Sequence, residues 1–128
     1  MWQYSQKSGN LEFSGSPVVG AVATGYSGAG TLKNNPDMQC VSDLGPIPRG
    51  EYEIGDPLDL NVDGHTISYA LPLRPQAGTD TCNRTGFYIH GDSRTFPGSA
   101  SAGCIILPLD VRKKIAESND KVLRVVSG

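Results

Sequence analysis

His90 and Cys104 have the residue types and the spacing for nucleophilic catalysis. A thiol becomes a useful nucleophile when a neighbouring base removes its proton or its pKa is lowered. His90 ends the apolar run of Phe87-Tyr88-Ile89-His90-Gly91-Asp92-Ser93, and Cys104 lies in Ser101-Ala102-Gly103-Cys104-Ile105-Ile106-Leu107. Each stands beside a short apolar stretch, so each is expected at the edge of a rigid sheet. Gly91 and Gly103 flank the pair and let a substrate backbone approach closely. Together these residues compose acyl transfer through a cysteine. At a loop-to-strand junction, the backbone N–H groups of Gly103 and Cys104 are free to hold an oxyanion. The competing reading of Cys104 is a buried cysteine that packs like a small hydrophobe.

The neighbouring residues leave alternatives open. Asp92 either accepts a hydrogen bond from His90, fixing its tautomer, or caps its own loop through the backbone. Ser101 is a turn-former or a hydrogen-bonding partner of the site. Arg94 either meets a substrate carboxylate bidentately or is a solvated loop arginine. His65, in the hairpin-turn pattern Asn61-Val62-Asp63-Gly64-His65, reads as exposed and structural. Gly25-Tyr26-Ser27-Gly28-Ala29 lacks the last glycine of a serine-hydrolase elbow and the lysine of a phosphate loop. Asn83-Arg84-Thr85 matches a glycosylation sequon, a frequent chance match.

The elements that must position this pair are mainly strands. In 128 residues, 16 glycines and 9 prolines punctuate short apolar runs, a strand-and-turn pattern rather than a helical bundle. The chain reads as one domain, 1–128, mainly β and sandwich- or barrel-like, with one short C-terminal helix. Expected strands are Val18–Ala23, Glu51–Ile54 after the rigid turn Gly45-Pro46-Ile47-Pro48-Arg49-Gly50, Thr66–Leu73, Phe87–Ile89, Cys104–Leu107 and Lys121–Val126. In Thr66–Leu73, alternation puts Ile67, Tyr69, Leu71 and Leu73 on one face, and Pro72 marks an edge or strand end. The helix begins near Pro108 and runs through Asp110–Glu117, with Val111 and Ile115 facing the core.

Other classes are excluded or disfavoured. A net charge of −2 argues against nucleic acid, and no apolar run approaches the roughly 20 residues of a membrane helix. The N-terminus shows no charged-then-apolar signal segment. Of three cysteines, Cys40 and Cys82 lie in turn-rich sequence and are either a disulfide or two unrelated surface thiols, while Cys104 suits a free thiol. With two histidines and no Cys-x-x-Cys, no metal or other cofactor is expected.

These residues add up to a resemblance. His90-Gly91 followed by Ser101-Ala102-Gly103-Cys104-Ile105 resembles the signature of L,D-transpeptidases of the YkuD type, and Gly45–Tyr52 resembles their Pro-x-Gly-x-Phe/Tyr segment. The chain is more similar still to a compact branch: type VI secretion toxins acting as L,D-transpeptidase-exchange and L,D-carboxypeptidase effectors. The likeness runs from Trp2-x-Tyr4 through Gly25-Tyr26-Ser27-Gly28 and Asn34-Asn35-Pro36 to the site residues. It departs at Ala102, where the transpeptidases carry a histidine, and in a shorter His90-to-Cys104 spacing; both fit the effector branch better.

The resemblance implies a YkuD-like β fold and a thioester mechanism on peptidoglycan stem peptides. Cys104 is the nucleophile and His90 its base. Gly103, Ser101, Asp92 and Gly91 form the oxyanion and supporting group, and Arg94 and Tyr26 contact substrate. The implied partners are stem peptides, D-amino acids and a cognate periplasmic immunity protein. The implied route is synthesis in the cytoplasm, secretion, and action in the target cell's periplasm, for which cargo of an injection machine needs no signal peptide. The alternatives are a housekeeping cell-wall L,D-transpeptidase, a non-catalytic peptidoglycan- or partner-binding β module, and a cysteine peptidase of another fold.

Overall fold

The computed structural model describes residues 1–14, 22–62, 64–95, 98 and 100–128. Ten strands are present among them: β1 Trp2–Ser5, β2 Asn10–Phe13, β3 Ala23–Thr24, β4 Tyr26–Ser27, β5 Gly50–Ile54, β6 Leu58–Val62, β7 His65–Pro75, β8 Phe87–His90, β9 Ile105–Ile106 and β10 Val122–Val126. One helix, α1, spans Leu109–Glu117. The strands follow the order β3-β2-β1-β10-β5-β7-β8-β9-β4, with β6 paired to β7 alone. The result is mainly β, as the glycine and proline punctuation predicts, and the sheet is nearly closed and barrel-like. β1 runs parallel to β10 and β8 parallel to β9; the other pairs are antiparallel.

The core is built by alternation. Tyr52 and Ile54, Leu71 and Leu73, Phe87 and Ile89, and Leu123 and Val125 point inward from four neighbouring strands. Val111 and Ile115, one helical turn apart, close one side from α1. Pro108 is the N-cap of α1 and Asp110 lies in its first turn, where a negative charge is favourable. The strands around Tyr52, Phe87, Ile105 and Val125 form where expected.

Two expectations are corrected. β7 does not keep one alternating face: Tyr69 takes φ 53°, and Ala70 and Leu71 are both buried in succession. The strand bends there, so Ile67 turns to pair with Leu60 of β6, while Leu71 and Leu73 stay in the core. Pro72 is not at an edge, because β7 lies between β5 and β8. A strand residue directs its N–H and C=O to the same side. The Pro72 carbonyl accepts the Gly55 N–H at 2.8 Å, so the missing donor falls where β5 has just ended. Of the apolar run Val18–Ala23, residues 18–21 lie outside the described residues; Ala23 enters β3.

Candidate active site

Topology brings His90 and Cys104 to neighbouring strands. In the parallel β8–β9 pair, Ile89 stands opposite Ile105 and His90 opposite Ile106. Ile89 and Ile105 belong to the core, so His90 and Ile106 lie on the opposite face. Cys104, one residue before β9, falls level with Tyr88. In ideal strands about 4.8 Å apart with a rise of about 3.3 Å per residue, residues at those two levels have α-carbons roughly 8 Å apart. No hydrogen bond joins the two side chains: Cys104 Sγ points at the Gly86 carbonyl, 3.8 Å away, and His90 Nδ1 at the Gly91 carbonyl, 2.9 Å away.

The turn carrying Cys104 is tied down from below. Ser101 is buried; its Oγ donates to the Cys104 carbonyl at 2.6 Å and accepts the N–H of Gly28 at 2.9 Å and of Gly103 at 3.1 Å. Ser27 Oγ donates to the Gly103 carbonyl at 3.3 Å and accepts the Ile47 N–H at 2.8 Å. Ser101 is therefore a hydrogen-bonding partner of the site as well as a turn residue. The Gly103 N–H, expected to serve an oxyanion, is engaged by Ser101.

Arg84 was not visible as a functional residue in the sequence, where it appears only inside a chance sequon. Only 7% of it is exposed. Its Nη1 donates to the carbonyls of Gln39 and Pro46, and its Nη2 to those of Gly45 (3.0 Å) and Ala102 (3.3 Å). The guanidinium lies 5.6 Å from the Phe87 ring, which in turn meets Tyr52 edge-on at 5.9 Å. The Gly45–Tyr52 segment thus forms the cradle of Arg84. Gly103 takes φ +125°, and a Cβ there would run into Arg84 Nη2. Burial pushes the Cys104 thiol above its ordinary pKa, while the Tyr88 backbone and the Arg84 charge pull it down.

His90 is 5% exposed. Its hydrogen bond to the Gly91 carbonyl requires a proton on Nδ1, which leaves Nε2 with the free lone pair. Burial lowers the pKa of His90; the Gly91 carbonyl opposes this, and the Arg112 charge adds to it. Arg112, from α1, packs against Gly91: a Cβ on that glycine would stand 3.0 Å from Nη2.

Asp92 makes no hydrogen bond to His90, although its charge favours the protonated imidazole. It accepts the Tyr26 hydroxyl at 2.6 Å, the Ser93 N–H at 2.8 Å and the Gly98 N–H at 3.0 Å. Although its partial burial works the other way, these bonds hold the Asp92 carboxyl below its ordinary pKa. Tyr26 also accepts the Ala100 N–H at 2.9 Å and lies under Lys33 Nζ at 4.5 Å from the ring centre. Its phenol is pushed up to about 12 by burial and by Asp92. Tyr26 and Asp92 therefore fasten the connection between His90 and Cys104. Arg94 and His65 are exposed and line, with His90 and Arg112, a cavity of about 820 Å³. Cys40 and Cys82 are joined, and Cys104 is free. Among the described residues no cluster of three or more His, Cys, Asp or Glu side chains is placed to hold a metal.

Fold and site together define a small β domain with a free cysteine just before one strand and a buried, tautomer-fixed histidine at the end of its parallel neighbour, with a buried arginine beside each. Residues 21–127 match the family model of the Tlde1 domain, and the chain belongs to that family, one of type VI secretion effectors. No curated protein matches the chain at a significant level.

Proposed function

We propose that this chain is an antibacterial effector that modifies peptidoglycan as a cysteine L,D-carboxypeptidase and L,D-transpeptidase, in the manner of the YkuD-type enzymes. It removes the terminal D-alanine of stem tetrapeptides or exchanges it for another D-amino acid. What supports this reading is a free Cys104 one residue before the strand that pairs in parallel with that of His90, whose Nε2 is left unprotonated, in a chain of the Tlde1 family.

In the mechanism we assign, both groups begin neutral. His90 Nε2 takes the thiol proton as Cys104 Sγ attacks the carbonyl at the L-centre of the third residue. The C–S bond forms, and the carbonyl π electrons move to oxygen. With the Gly103 N–H engaged by Ser101, the backbone donor to that oxyanion is the Cys104 N–H. The tetrahedral intermediate collapses, the C–N bond breaks, and His90 returns its proton to the departing amine of D-alanine. The thioester is then attacked by water, giving the tripeptide, or by the amine of a D-amino acid, giving exchange; His90 accepts the nucleophile's proton, the C–S bond breaks, and that proton returns to Cys104 Sγ. The tripeptide no longer carries the acyl donor bond at position three.

The reading places synthesis in a bacterial cytoplasm and action in the periplasm of a target cell, with an immunity protein protecting the producer's own periplasm. The direct test is mass spectrometry of purified muropeptides incubated with the protein and, in parallel, with Cys104→Ala. Loss of D-alanine from tetrapeptides, or its replacement by added D-methionine, is expected with the first and absent with the second. Unchanged tetrapeptides in both would sink the enzyme reading in favour of a binding module.

A further inference from the structure

Among the described residues, Arg112 is a buried cation without a counter-ion. It is 6% exposed, its Nε has no hydrogen-bond partner, and its Nη1 reaches the Ser68 and Tyr69 carbonyls only at 3.4 Å. Among the described residues no carboxylate pairs with it. A guanidinium is always charged, and holding one away from water without a partner is costly. Arg84, equally buried, has four carbonyl acceptors to offset that cost; Arg112 does not. What Arg112 has instead is space. It lines the cavity of about 820 Å³ that His90 and Ser68 also line, and a second of about 390 Å³ on the side of Tyr26 and Leu107. Its head lies against Gly91, the residue whose carbonyl orients the His90 ring.

We infer that Arg112 is the specificity-determining residue of the site, a bidentate receptor for a substrate carboxylate next to His90. The inference rests on the function proposed above and deepens it. A planar fork of N–H donors matches a carboxylate in two parallel hydrogen bonds. The departing and the incoming D-amino acid each carry a free α-carboxylate next to the amine that His90 protonates or deprotonates. An anchor one residue from His90 holds that amine at the base and rejects peptides whose chain continues beyond it. A second source of the same group is a side-chain carboxylate on the diamino acid at position three, which would lie on the acyl side of the scissile bond.

The test compares three substrates: a tetrapeptide with a free C-terminus, its C-terminal amide, and a tetrapeptide with lysine at position three. Each is run with the wild-type protein, Arg112→Gln and Arg112→Lys, with thermal unfolding as the check on folding. The free acid is expected to exceed the amide in kcat/KM by at least about 100-fold, since a site built to pair a polar group rejects the analogue lacking it. In Arg112→Gln that ratio falls to within a few-fold, the change residing mainly in KM, and Arg112→Lys keeps part of it. A ratio that survives in Arg112→Gln while the preference over the lysine peptide disappears would move the anchor to the diamino acid and overturn the terminal assignment. Equal losses on all three substrates would overturn it in favour of a structural role. Calorimetric binding of the same peptides to Cys104→Ala, with and without Arg112→Gln, separates the two readings. Failure of turnover alone removes the enzyme, whereas equal binding of free acid and amide removes the anchor.

Discussion

Both groups of the proposed pair rest uncharged: burial lifts the Cys104 thiol and lowers the His90 imidazolium. The active form of His90 is the neutral one, so activity is lost as pH falls through its folded-state pKa. Because that pKa is displaced downward from about 6.5, the midpoint of the acid limb of kcat/KM is expected below pH 6.5; a midpoint at or above 6.5 would contradict the burial argument. Removing the Arg112 charge takes away one cause of the lowering, so in Arg112→Gln the limb moves toward higher pH. Gly103→Ala tests the other side of the site. A side chain at φ +125° costs on the order of 1–3 kcal/mol, and its Cβ displaces Arg84. Turnover is expected to fall far more than the melting temperature suggests; unchanged turnover would mean that the Arg84 contact is dispensable. The sequence makes His90 and Cys104 legible because their types announce their chemistry. It does not reveal Arg84 or Arg112, whose roles come from acceptors and cavities assembled from residues tens of positions away.

The elements tell the same story one step up. α1, β5, β8 and β10 could be read from local periodicity, since each buries one face against one core. β7 could not, because it serves two partners: β6 at its start, and β5 with β8 at its end. Changing partners forces the bend at Tyr69, which a two-residue period cannot encode. The connection from β8 to β9 matters most for the site, and it is fastened by the hydroxyl and carboxylate of Tyr26 and Asp92. Tyr26→Phe removes the donor to Asp92 and the acceptor for Ala100. A net cost of about 1–2 kcal/mol is expected at these partly exposed positions. Hydrogen exchange of the Gly98 and Ala100 amides should accelerate selectively, with β1 and β10 unaffected. Uniform acceleration would show Tyr26 to be a global stabiliser instead of a local latch.

At the scale of the molecule, one covalent link ties the distant walls of the site together. Cys40 and Cys82 are 42 residues apart in sequence. Cys82 stands two residues before Arg84, and Cys40 directly follows Gln39, whose carbonyl Arg84 holds. The bridge thus closes a ring around the guanidinium: Cys82 to Arg84, Arg84 to Gln39, Gln39 to Cys40. Closing a loop of this length removes chain entropy worth about 4 kcal/mol on the usual polymer argument. Its second effect is on function, because Arg84 also grips the Ala102 carbonyl and supplies positive charge to Cys104. The double variant Cys40→Ser/Cys82→Ser leaves Cys104 untouched and needs no reductant. It is expected to unfold at lower temperature and, well below that temperature, to turn over tetrapeptides more slowly. Its Cys104 should also react more slowly with iodoacetamide at neutral pH, because a loosened guanidinium stabilises the thiolate less. A variant that melts earlier but alkylates and turns over at the wild-type rate would confine the bridge to stability. Arg84 would then be held by its four carbonyls alone.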